Sequence, residues 1–122
     1  MKRKLNSLIA AAACFLGLSA CGWKPPCPTT PLTAPWDKMN LPVQQDAGVC
    51  VSSPEKFHAA HKGERAEVSQ LYLDAFEKGG WKVTKRDLSA PQAYYFDIEK
   101  GADKLSVEIY DWKKTGVIIK KR

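Results

Sequence analysis

From Trp81 to the C-terminus the chain alternates apolar and polar residues in short runs. Trp81-Lys82-Val83-Thr84-Lys85 is the first. Tyr94, Phe96 and Ile98 then alternate with Tyr95, Asp97 and Glu99, and Leu105, Val107 and Ile109 with Ser106, Glu108 and Tyr110. Val117-Ile118-Ile119 closes the series. Ser89-Ala90-Pro91, Lys100-Gly101-Ala102-Asp103 and Lys113-Lys114-Thr115-Gly116 separate the runs. A period of two with short, turn-rich gaps allows few folds, and an antiparallel meander with one buried face is the simplest.

That face needs a cover, and the preceding segment supplies one. Val68, Leu71, Tyr72, Ala75 and Phe76 fall on one stripe of a 3.6-residue period, which predicts a helix from about Glu64 to Lys78. Glu64 and Glu67 stand in its first turn and Lys78 in its last, as the helix dipole favours. Gly79-Gly80 is a helix stop. The expected fold class is α+β: a two-layer sandwich of one main helix on an antiparallel sheet of about four to five strands. Upstream, Val49-Cys50-Val51 is β-prone, while Phe57-His58-Ala59-Ala60-His61 is ambiguous. Ser53 and Pro54 would start a helix there. Alternation of Phe57, Ala59 and His61 favours a strand hairpinned to Val49–Val51.

The first twenty residues read differently. Met1-Lys2-Arg3-Lys4 is cationic, Leu8 to Leu18 is almost wholly apolar, and Leu18-Ser19-Ala20-Cys21 ends the run. The apolar stretch is short for ~30 Å of hydrocarbon and has signal-peptide proportions. Leu18 to Cys21 resembles the lipobox of bacterial lipoproteins. The resemblance implies cleavage before Cys21, a diacylglycerol thioether on its sulfur and acylation of the new amine. The alternative is an ordinary secretory leader cut near Ala20. Under the enterobacterial sorting rule, Gly22 in place of Asp directs such a protein to the outer membrane, facing the periplasm. The inner membrane and the cell surface remain as other addresses.

Charge changes meaning once this leader is set aside. The whole chain carries +6; without Lys2, Arg3 and Lys4 the balance is 16 basic against 13 acidic residues, or +3. Neither a large charge nor a basic motif then supports nucleic-acid binding. At 122 residues the chain excludes a large multidomain enzyme, and one apolar run excludes a polytopic membrane protein.

With Cys14 in the leader and Cys21 lipidated, Cys27 and Cys50 form an even pair in an oxidising compartment, expected as a disulfide of roughly 3 kcal/mol. Residues 21–46 hold Pro25, Pro26, Pro28, Pro31, Pro35 and Pro42 and read as an extended tether, spanning up to ~75 Å if nothing packs on it. Trp23 suits the headgroup level of a bilayer. Trp36, in mid-segment, is expected to pack back on the domain. The organisation is thus a signal peptide (1–20), a lipidated, proline-rich tether (21–46) and a small domain (47–122). Val68 to Val83, an amphipathic helix ending in Gly-Gly-Trp before a strand, also resembles small, uncharacterised envelope lipoprotein domains. That resemblance implies fold and compartment and no reaction.

Chemistry-bearing constellations are sparse. His58 and His61 form an H-x-x-H, but zinc takes three or four protein ligands, and on a strand the two rings would face opposite ways. No metal and no cofactor is expected. Ser52, Ser53 and Ser69 lie in no nucleophile motif, and Cys50 with His61 would need a free thiol. Asp97 and Glu99 share a strand face and, as an acid pair, would need a cleft. Tyr95, Tyr110 and Trp112 are expected on the sheet face away from the helix, as a partner surface or as cross-strand packing. Lys113-Lys114 and Lys120-Lys121-Arg122 make a basic end, suited to headgroups or to protecting an edge. The expectation is a non-enzymatic, palmitate-bearing envelope lipoprotein whose domain binds or supports an envelope protein or cell-wall partner. The alternative is an inhibitor or immunity-type lipoprotein of a secreted or periplasmic enzyme, with Lys100–Lys104 as its inserting loop.

Overall fold

The alternating runs become strands of one sheet. The computed structural model describes residues 23–43 and 47–122; the leader, with Cys14, and the lipobox cysteine Cys21 lie outside the described residues. Strands β1 (Gly48–Ser52) and β2 (Lys56–His61) precede helix α1 (Arg65–Lys78). Strands β3 (Lys82–Asp87), β4 (Ala93–Lys100), β5 (Asp103–Asp111) and β6 (Thr115–Lys121) follow it. The sheet has six strands in the order β1-β2-β6-β5-β4-β3, and every neighbouring pair is antiparallel. The α+β class is as expected. The strand count of four to five is corrected to six, because β6 returns beside β2 and joins the β1–β2 hairpin to the meander.

The ambiguous run at residues 56–61 is a strand, and its alternation is complete. Phe57, Ala59 and His61 are wholly buried on the helix side. Ser53 starts no helix; its hydroxyl and amide groups bond Lys56 and close the hairpin instead. Helix α1 buries Val68, Tyr72 and Phe76 against Phe96, Ile98, Leu105, Val107, Ile109, Val117 and Ile119. Leu71 and Ala75, expected on the same stripe, are only half-buried, so the contact stripe is narrower than the sequence suggests. Gly80 at φ +83° permits the reversal after α1, where the Trp81 amide bonds the Phe76 carbonyl at 2.9 Å. Trp81 is then half-buried at the core margin.

Over residues 23–43 the proline-rich segment packs back on the sheet. Pro25 lies against Gly48, where a Cβ would stand 2.6 Å from the Pro25 Cβ. Cys27 is bonded to Cys50, with Cα atoms 5.4 Å apart. The Thr30 amide bonds the Val49 carbonyl at 3.1 Å and Thr33 bonds Ser52, covering the open edge of β1. A 3-10 turn at Trp36–Lys38 then delivers Trp36 and Met39 into the core. The Trp36 ring meets Phe57 at 6.1 Å, and its Nε1 donates to the Ser53 carbonyl. The 75 Å reach available to a free tether is therefore not expressed over residues 23–43. Fixed proline φ angles lower the entropy lost on docking this strap, and the buried indole supplies the apolar area that holds it.

Candidate functional site

The sheet face away from α1 carries a row of small residues. Gly48, Ala60 and Gly116 pair across β1, β2 and β6; Gly116 pairs with Tyr110, and Tyr110 with Ala93. Gly116 has no side chain, so Tyr110 lies flat over it. An added Cβ at Gly116 would stand 2.7 Å from the Tyr110 ring and 3.1 Å from Trp112. The Tyr110 hydroxyl thereby reaches β2 and bonds Nε2 of His58 at 2.8 Å. Trp112 packs beside both rings, 4.7 Å from His58 and 6.1 Å from Tyr110 between centroids.

This cluster has its own electrostatics. Partial burial, followed by the charge of Lys56, holds the His58 imidazole below its ordinary pKa. Partial burial, followed by Glu108, pushes the Tyr110 phenol up. Both groups are neutral at neutral pH. Together they present an aromatic, hydrogen-bonding surface beside Lys56 and Glu108.

Tyr95 stands apart from the cluster. It pairs with Glu108 on β5, is 42% exposed and is one of two large apolar side chains so open among the described residues. An open depression of about 530 Å³ lies beside it, walled by Pro91, Ala93, Glu108, Tyr110 and Asp111. Tyr95, Tyr110 and Trp112 thus share the face expected of them, with different employment: Tyr110 and Trp112 are engaged with His58, while Tyr95 is presented to solvent. His58 is the member that the H-x-x-H spacing does not connect with this face. Its signal is in the register, since His58 lies one pleat from Ala60 and so beside the Gly116 gap.

The other candidates are dispersed. His61 is buried on the opposite face from His58, its Nε2 2.6 Å from the Tyr72 hydroxyl, so the H-x-x-H spacing brings no two nitrogens together. Among the described residues no three His, Cys, Asp or Glu side chains converge as metal ligands. Asp97 and Glu99 do share a face, where Arg122 pairs with both, at 3.5 and 3.1 Å. Cys50 is in its disulfide and away from any thiolate role. Lys100–Lys104 is a tight hairpin, with Lys100 paired to Asp103 and Gly101 at φ +60°. A further cavity of about 250 Å³ on the helix side lies among Pro35, Met39, Trp81, Leu105, Lys121 and Arg122. No protein-family model, curated protein or solved structure matches the chain.

Proposed function

We propose that the chain is a lipid-anchored protein of the cell envelope, with a non-catalytic domain that binds an envelope protein or a cell-wall polymer through the open sheet face around Tyr95. The anchor rests on the ordered succession of cationic start, apolar run and Leu18-Ser19-Ala20-Cys21. Palmitate on Cys21 and an outer-membrane address facing the periplasm follow from that box and from Gly22. The observation that carries the binding role is Tyr95 itself: an exposed aromatic on a strand paired on both sides, with an acidic neighbour in Glu108 and a depression beside it. Aromatic side chains in such settings supply much of the energy of interfaces. Among the described residues no helix is long and apolar enough to cross a membrane.

The inhibitor reading draws no support from Lys100–Lys104, because a two-residue hairpin turn offers little length for insertion. The test is affinity capture of a tagged full-length chain from crosslinked membranes, with a Tyr95→Ala copy alongside. Loss of the captured partner in the variant supports the reading. Identical capture by both excludes the Tyr95 face.

A further inference from the structure

Trp23 is the first described residue, and it is already docked. Its indole Nε1 donates to the Lys113 carbonyl at 2.7 Å, in the turn between β5 and β6. Cys21 is two residues earlier, at most ~7 Å of extended chain. Pro25 is held at Gly48 and Cys27 in its disulfide, so the described chain is docked from Trp23 onward. A lipid on Cys21 therefore fixes one particular end of the sheet to the bilayer. That end holds two half-buried tryptophans, Trp23 and Trp112, and three exposed lysines, Lys24, Lys113 and Lys114.

The charges around it are mixed, with a cationic excess. Glu64 pairs with Lys114 at 2.6 Å and Asp111 with Arg65 at 3.4 Å. Among the described residues Lys24 and Lys113 are in no ion pair. Tryptophan and lysine together are the side chains that settle at a bilayer interface, the indole at headgroup depth and the ammonium at anionic phosphates.

We propose that Trp23, Lys24, Trp112, Lys113 and Lys114 form a contact surface for anionic phospholipid headgroups, and that this contact holds the domain in one orientation on its membrane. The proposal rests on the lipid-anchor reading of Cys21. The β4–β5 turn at Gly101–Ala102 ends the same strand at the far pole, roughly 30 Å away over nine residues of β5. The two poles give the surface a built-in control.

The experiment uses the full lipidated chain in vesicles containing phosphatidylglycerol, and in vesicles of phosphatidylcholine alone. A photo-crosslinking residue replaces Lys113 in one copy and Ala102 in another. A second pair replaces Lys114 and Lys100, in case Lys113 at φ +50° tolerates the probe poorly. Mass analysis of the N-terminal peptide reports the lipid on Cys21. The expected result is lipid adducts at 113 and 114 and few at 102 and 100. Adducts at 113 should fall about five-fold in a Lys24→Gln variant, the worth of one lysine at an anionic surface, and further in phosphatidylcholine, where Lys114 loses its anionic partner as well. Equal labelling of the two poles on a lipidated chain overturns the contact and leaves the anchor standing. Equal labelling in the two vesicle types overturns its preference for anionic headgroups. A Cys21 peptide without lipid overturns anchor and contact together.

Discussion

The Tyr72 hydroxyl and the His61 Nε2 meet at 2.6 Å in the middle of the core, both residues wholly buried. One comes from α1 and the other from the end of β2, so this hydrogen bond joins the two layers away from water. The rings also stand edge to face, with centroids 5.2 Å apart. Burial pushes the Tyr72 phenol far up, so it stays protonated at any ordinary pH. A buried polar pair adds little net stability when made and costs more when broken on one side.

The first prediction follows from that asymmetry. Tyr72→Phe keeps the ring and removes the hydroxyl, depriving His61 of that bond in a dry setting. It should lower stability by about 1–3 kcal/mol. Phe76→Ala, one turn later on the same face, removes a whole ring and should cost about 3–5 kcal/mol. Urea unfolding of the two variants beside the parent gives the ranking, and a Tyr72→Phe variant as stable as the parent would remove the bond's role.

The second prediction concerns pH. His58 has its folded pKa held below the unfolded value of 6.5 by desolvation first and Lys56 second. Below 6.5 the unfolded chain therefore binds more protons at this site than the folded one, and stability rises with pH across that window. The contribution is complete above 6.5 and is lost as pH falls through the depressed folded value. The unfolding midpoint of the parent should drop on acidification below 6.5, and that slope should flatten in His58→Gln. An NMR titration placing the His58 imidazole at or above 6.5 would contradict the assignment.

Third, the strap is held by shape as well as by sulfur. A Cβ at Gly48 would stand 2.7 Å from the Cys27 carbonyl oxygen and closer still to Pro25, so Gly48→Ala must displace the strap. Replacing both Cys27 and Cys50 by Ser should cost roughly 3 kcal/mol through the closed loop. Either change loosens the packing of Trp36, so its fluorescence should shift to the red while the helix signal in circular dichroism persists. An unmoved spectrum in both variants would mean that Trp36 is held by the core alone.

These relationships were unevenly legible in the sequence. Strands β4 to β6 and helix α1 could be read because one face of each is apolar at the right period, whereas β3 offers only Val83 after Trp81 and a register shift between Val83 and Lys85 ends its alternation. Strand β2 was harder, since a buried His61 breaks the apolar pattern and only its partner Tyr72, eleven residues on, explains the burial. The course of the strap was hidden for a different reason. Proline sets φ and says nothing of which surface a segment lies on. Trp36 hinted at docking, but the paths of Pro25 over Gly48 and of Trp23 to Lys113 depend on a gap in a distant strand and on a turn 90 residues away. The same holds for Tyr110: its alternation placed it on the open face, while its neighbour Gly116 decided that it lies flat and reaches His58.

The fourth prediction separates packing from binding on that open face. Tyr110 covers Gly116 and bonds His58, and Trp112 packs on both, so each is part of the sheet's own structure. Gly116→Ala would put its methyl group into the Tyr110 ring, and overpacking of this kind typically costs about 1–3 kcal/mol. Trp112→Ala and Tyr110→Ala should also lower the thermal midpoint, by less than Phe76→Ala, because their rings are only half-buried. Tyr95 has a different position. Its side chain is opposite Glu108, open to solvent, with no ring neighbour among the described residues. Tyr95→Ala should therefore unfold within about 0.5 kcal/mol of the parent, the usual range for a surface change. If the open face binds a partner, the same variant should lose the crosslinked partner while keeping its midpoint. Thermal unfolding and capture are to be measured on all four variants together. A large stability loss in Tyr95→Ala would show that its ring is structural, and the partner surface would then have to lie elsewhere on the domain.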